Sequence, residues 1–142
     1  NYFTTKYFHP ILYRNLTKKL FLFANTSIDI SDGLISDLEK VINKQKLSYK
    51  LFLNDIPISN NLKKLVDTKI ITKLSSVCSG DDYQILFTAT PSKSRIISRI
   101  SKQLGIKISK IGKIYANLQK SEIIDEKKRK IAFKNKGYLH RF

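Results

Sequence analysis

The sequence predicts an α/β domain, a single mixed sheet with helices packed on it, and three observations carry that expectation. Apolar residues recur every second position in some segments and every third or fourth in others, and the two kinds of segment alternate along the chain. No internal repeat, proline-rich linker or low-complexity stretch interrupts them. The 142 residues, 42% of them hydrophobic, suffice for one domain with its own core.

Residues 11–24 place Leu12, Leu16, Leu20 and Phe23 at helical spacing behind Pro10, a residue favoured at helix starts. "SIDI", residues 27–30, sets Ile28 and Ile30 against Asp29 and Ser31, the period of a short strand with one polar side. Residues 33–43 carry Leu34, Ile35, Leu38, Val41 and Ile42, a stripe that defines one buried helix face. "LSYKLFLN" reads as a strand and "SNNLKKLV" as a short helix capped by Ser59 or Asn60. A strand from Tyr83 to Ala89 follows the turn-like "CSGDD". Ile96, Ile97, Ile100 and Leu104 mark another helix, which Gly105 ends. "IKISKIGKIY" suggests a strand bent near Gly112, and two shorter strand candidates surround Ile123 and Ile131.

Composition narrows the function classes. One cysteine, Cys78, rules out an intrachain disulfide framework and points to a reducing cytoplasm. No apolar run approaches the roughly 20 residues that cross a bilayer, and the first residues lack the pattern of a signal peptide. The chain starts at Asn1 and has no methionine, so it is expected to be a piece of something longer. The 27 Lys and Arg against 11 Asp and Glu give a net charge of +16, which raises nucleic acid as a partner. The charge is mostly Lys scattered among Ile and Asn, which fits a compositional bias better than a binding surface. Two places do cluster: residues 1–28, which contain no acid, and Lys127–Lys130.

Two stretches could carry chemistry. At the strand-to-helix junction, Asp29, Ser31 and Asp32 can project their oxygens from one sheet edge, where α/β proteins bind ligands. Asp32 could simply cap the helix, but an acid between two isoleucines at Asp29 has no such explanation. Two carboxylates and a hydroxyl suit magnesium and phosphate, with Gly33 letting a phosphate approach the helix start. The second stretch is "SGDDYQILFTA", residues 79–89, where Asp81 and Asp82 follow a glycine. A solvated turn explains them equally well, and a two-metal polymerase palm needs a longer chain. His9 and His140 have no ligand partners at metal spacing, and Cys78 carries no nucleophile signature, so no catalytic acid, base or nucleophile is assigned.

Taken in order, "IDISDGLISDL", "IP" at Ile56 and Pro57, "SGDDYQILFTA", "KIGKI" at Lys110–Ile114 and "GYLHRF" resemble the carboxy-terminal half of thiamine-monophosphate kinases. "YFHP" resembles that family's inter-domain junction. The resemblance implies a junction over residues 1–10 and a carboxy-terminal α/β domain over residues 11–142, with the fold shared by aminoimidazole ribonucleotide synthetase. It implies a cytoplasmic enzyme that uses ATP and magnesium to phosphorylate thiamine monophosphate to the diphosphate. It also implies that Asp29 and Asp32 are magnesium ligands and that Ser31 contacts ATP phosphate. Asp81 and Tyr138 would be substrate contacts.

Some positions depart from the family's pattern. Asp81 stands where "GGEDYEL" has Glu, and one methylene less pulls the carboxylate back by about 1.5 Å. Gln84 replaces the second Glu and Ser79 a Gly, and "GYLHRF" differs from "GYDHF". The family's first domain, which supplies most of the metal cluster, much of the ATP site and the homodimer interface, has no counterpart in this chain. The isolated domain is therefore expected to be inactive without its amino-terminal half. A basic, non-catalytic module derived from such a domain, binding RNA or an assembly, is the alternative.

Overall fold

The computed structural model describes residues 1–42, 45–116 and 120–131. In chain order the elements are α1 (Tyr2–Phe8), α2 (Arg14–Thr17), β1 (Thr26–Asp29), α3 (Leu34–Ile42), β2 (Ser48–Phe52), α4 (Asn60–Asp67), α5 (Lys73–Cys78), β3 (Ile85–Thr88), α6 (Ser94–Leu104), β4 (Gly112–Tyr115), β5 (Glu122–Ile124) and β6 (Lys130–Ile131). The mixed α/β character stands. The described strands are divided between two sheets rather than one, however: β1 pairs antiparallel with β3, and β4-β2-β5-β6 form a second sheet in which only β2 and β5 run parallel.

The described residues build two cores, and both sheets contribute to the larger. Leu86 and Ile28 face a large core built on Leu34, Ile35, Leu38 and Ile42 of α3, with Tyr49 and Leu51 of β2 and Ile123 of β5. Ile85 and Phe87, pointing the other way along the same strand, face a smaller core of Leu16, Phe23 and Ile100. Strand β3 is thus apolar on both faces and lies between the two cores, whereas β1 turns Ile28 inward and leaves Ser27 and Asp29 exposed.

Several local expectations are corrected. The helix foreseen over residues 11–24 is only α2 and a 3-10 turn at Leu20–Leu22, while the residues before Pro10 form α1. Pro10 disfavours helical backbone at the residue before it, and His9 accordingly leaves the helix at φ −131° and ψ 70°. The alternation of Ile106 and Ile108 reflects packing on the smaller core, and the strand begins only at Gly112. Helix α5 was not foreseen; Thr72 and Ser75 start it with a reciprocal capping box. Ser59 caps α4 and Gly105 ends α6 at φ 63°, as the sequence suggested.

Candidate active site

The two stretches singled out in the sequence lie against each other. Beyond the β1–β3 ladder, Ile30 N–H donates to the Gln84 carbonyl at 2.9 Å, Tyr83 N–H to the Ile30 carbonyl at 2.9 Å, and Asp81 N–H to the Ser31 carbonyl at 2.9 Å. Two glycines permit this approach. A Cβ on Gly80 would overlap the Ser31 carbonyl, and one on Gly33, whose φ is +111°, would lie 2.5 Å from the Cys78 carbonyl oxygen. The space beside Gly33 is therefore filled by the end of α5. Asp81 and Tyr83 take left-handed backbone, with φ of 63° and 51°, so residues 80–84 form a turning loop rather than the start of the foreseen strand.

Asp29 is exposed at the end of β1, opposite Ile85. Asp81 is exposed across the ribbon, where its carboxylate accepts the Tyr83 hydroxyl at 3.2 Å. The Asp81 charge, and then that hydrogen bond, raise the Tyr83 phenol above its usual pKa, with smaller effects from Tyr7 and Asp29. These side chains therefore share one neighbourhood. Asp82 is exposed by surface area yet crowded by surrounding atoms; that desolvation, followed by the Asp81 charge, raises its pKa. Cys78 is half-buried, and burial raises its thiol pKa, which suits a packing residue rather than a nucleophile. Tyr138 lies outside the described residues.

The helix start differs from the expected cap. The Gly33 carbonyl accepts the first helical bond, from Asp37 N–H at 3.0 Å, so Gly33 occupies the capping position and Asp32 precedes it. Asp32 is half-buried, and its Oδ2 pairs with Lys40 Nζ at 2.5 Å. Sequence reasoning missed Asp37, which is fully buried and accepts Ser31 N–H at 2.8 Å and Asp32 N–H at 3.0 Å. Its other oxygen accepts from Lys40 Nζ at 2.6 Å. Hydrogen bonds to Asp32 first, and then to Asp37, raise the Lys40 pKa. The signal was present: Asp37 lies on the apolar face of α3, between Leu34 and Leu38, where a carboxylate requires partners.

Comparison with known proteins decides the family. The chain is 33% identical over 144 residues to thiamine-monophosphate kinase of Buchnera aphidicola from Acyrthosiphon pisum, and 36% identical over 142 residues to that from Schizaphis graminum. Each match covers 99% of this chain and 43% of the relative, in its carboxy-terminal part. The chain belongs with the carboxy-terminal part of the thiamine-monophosphate kinases. It spans less than half the length of these curated relatives. No family model matches it.

The thiamine-monophosphate kinase fold is also found among solved structures. The enzyme from Stenotrophomonas maltophilia superposes with a TM-score of 0.71 at 24% identity, covering 82% of this chain and 36% of that one. AaThiL complexed with AMPPCP and TMP gives 0.71 at 20% identity, covering 96% of this chain and 40% of that one. This agrees with the expected aminoimidazole ribonucleotide synthetase-like fold.

Asp29 and Asp32 are carboxylates, a donor type that magnesium accepts. Among the described residues no group of three or more His, Cys, Asp or Glu side chains is assembled for a metal ion. Magnesium commonly takes only one or two protein carboxylates alongside phosphate oxygens and water, so Asp29 and Asp32 suit a partial contribution. A cation, the Lys40 ammonium, already lies against Asp32. No helix among the described residues is long and apolar enough to cross a membrane.

Proposed function

We propose that this chain is the carboxy-terminal half of a cytoplasmic thiamine-monophosphate kinase, residues 1–10 forming the inter-domain junction and residues 11–142 the domain. In this reading it transfers the γ-phosphoryl group of ATP to thiamine monophosphate, together with an amino-terminal half and as a homodimer. The observation that carries it is the stitching of residues 30–33 to residues 80–84, which brings Asp29, Ser31, Asp32 and Asp81 to one end of the β1–β3 ribbon. The names of the curated relatives and the AMPPCP and TMP in the AaThiL complex support the choice of substrates.

The attacking atom would be an oxygen of the substrate's own phosphate, already anionic, so no general base is needed. That agrees with a site of carboxylates, a hydroxyl and backbone N–H groups. When bound, magnesium supplies charge neutralisation for the transferring phosphoryl group, and Asp29 and Asp32 are the residues that would hold it. Ser31 would orient ATP phosphate and Asp81 the thiamine substrate, as would Tyr138. The rest is alignment, which the clamped loops provide by limiting motion of these side chains.

The test is thiamine diphosphate formation by the complete native protein with ATP and magnesium. Asp29→Asn together with Asp32→Asn is expected to reduce it by roughly tenfold or more, as loss of transition-state charge stabilisation should. Unchanged turnover would refute the assignment of these carboxylates.

A second reading, a basic non-catalytic module, is favoured by one specific observation. The acid-free residues 1–28 meet the equally acid-free stretch 83–121 where α2 packs with α6 around Leu16, Phe23 and Ile100. Two acid-free stretches are thereby brought together. Salt-dependent binding to nucleic acid distinguishes this reading.

A further inference from the structure

Asp37 is 0% exposed, yet it sits on the core face of α3, where an apolar side chain would be the simpler choice. A buried carboxylate is tolerated only with partners, and here all of the partners belong to the candidate site. Its Oδ2 takes the N–H groups of both Ser31 and Asp32. The Ser31 carbonyl is held from the opposite side by Asp81 N–H, so the backbone at Ser31–Asp32 is fixed at its donors and at its acceptor. Oδ1 takes Lys40 Nζ, and the same ammonium reaches the Asp32 carboxylate. One buried residue thus controls the backbone of Ser31 and Asp32 directly and the Asp32 side chain through Lys40.

We propose that Asp37 is a positioning residue for the site: it aims Ser31 and Asp32 outward together, while Lys40 serves as an internal counter-ion to Asp32 that gives way when magnesium binds. The Lys40 side chain is 47% exposed, so it has room to swing into solvent while Asp37 stays fixed. The clamp stands on hydrogen bonds alone, whereas the exchange of Lys40 for magnesium rests on the kinase reading.

Two measurements on the complete native protein test this. The first is amide-resolved hydrogen exchange without metal, in which the Ser31 and Asp32 amides are expected to be protected despite lying in a loop. Asp37→Asn, nearly isosteric, is expected to speed their exchange by roughly tenfold or more while the β1–β3 ladder stays protected. The second is the magnesium dependence of turnover. Asp37→Asn is expected to raise the half-saturating magnesium concentration severalfold, with a smaller effect on turnover at saturation. Lys40→Met should lower it and leave Ser31 exchange unchanged. Free-loop exchange of these amides in the unsubstituted protein would overturn the clamp. So would an Asp37→Asn protein that exchanges them no faster. If Asp37→Asn does not fold, the unsubstituted exchange rates and Lys40→Met decide the matter. A higher magnesium requirement in Lys40→Met would overturn the counter-ion role. Absence of any magnesium-dependent turnover would instead refute the kinase reading and leave the clamp to be judged by exchange.

Discussion

Gly80 and Ser31 touch backbone to backbone: a Cβ on Gly80 would run into the Ser31 carbonyl, and the next residue's N–H donates to that carbonyl. The obstacle is main chain, which cannot rotate aside as a long side chain could. Gly80→Ala is therefore expected to push the two loops apart, at a cost of roughly 1–3 kcal/mol typical of overpacking. Denaturant unfolding measures that cost. Turnover is expected to fall further than stability explains, because Asp81 shifts relative to Asp32. A variant with unchanged stability and turnover would show that the loops are not in contact.

Asp32 tests whether the helix start or the ligand explains the acid. Since Gly33 supplies the first helical carbonyl, and Lys40 is a half-exposed ion-pair partner, removing the carboxylate should cost about 0–1 kcal/mol. Asp32→Asn and Asp32→Ala should therefore melt within a few degrees of each other and lose turnover alike. A helix-cap role would instead make Ala distinctly less stable than Asn while leaving turnover intact.

What the sequence disclosed depended on how local the determinant was. The α3 stripe, the Ser59 cap and the Gly105 stop are set by residues within a few positions, and all three are found as read. The division into two sheets was hidden because strand pairing joins segments distant in the chain. At the site, the acids could be picked out one by one, but their meeting could not. It depends on Gly33 and Gly80 accepting carbonyls from the opposite segment. Asp37 escaped because two of its partners are backbone N–H groups, which every sequence contains.

Acid stability should depend on Glu122, which joins β5 to its neighbours through Lys130 of β6 and Lys50 of β2. The Lys130 ammonium, then that of Lys50, hold its carboxyl below the ordinary value of 4.5. A lowered folded-state pKa means that the contribution is present above pH 4.5 and is lost as pH falls through the folded value. Glu122→Gln is expected to be less stable than the parent at neutral pH and to lose less on acidification below 4.5. Thermal melts across that range at low salt measure the difference, which added salt should shrink because Lys130 is exposed. Parallel pH profiles for the two proteins would remove Glu122 as a contributor.

The exposed basic residues of α2 and α6 are the place where background charge and a binding surface can be told apart. Arg95, Arg99 and Lys102 are exposed along α6, and Arg14 and Lys18 are exposed on and just after α2, with no acid in either segment. Lys127 and Lys128 form a separate exposed cluster before β6. If the charge is compositional, RNA binding is expected to be weak, indifferent to sequence and steeply reduced by salt, as for lysines that merely displace counterions. Reversing either cluster to Glu should then weaken it by similar amounts per charge. Lys130 is best left in place, because its loss would also disturb Glu122. Tight binding to one RNA that survives moderate salt, and that disappears only when Arg95, Arg99 and Lys102 are reversed, would favour the binding module. Kinase ancestry would then account for the fold and the α6 face for the function.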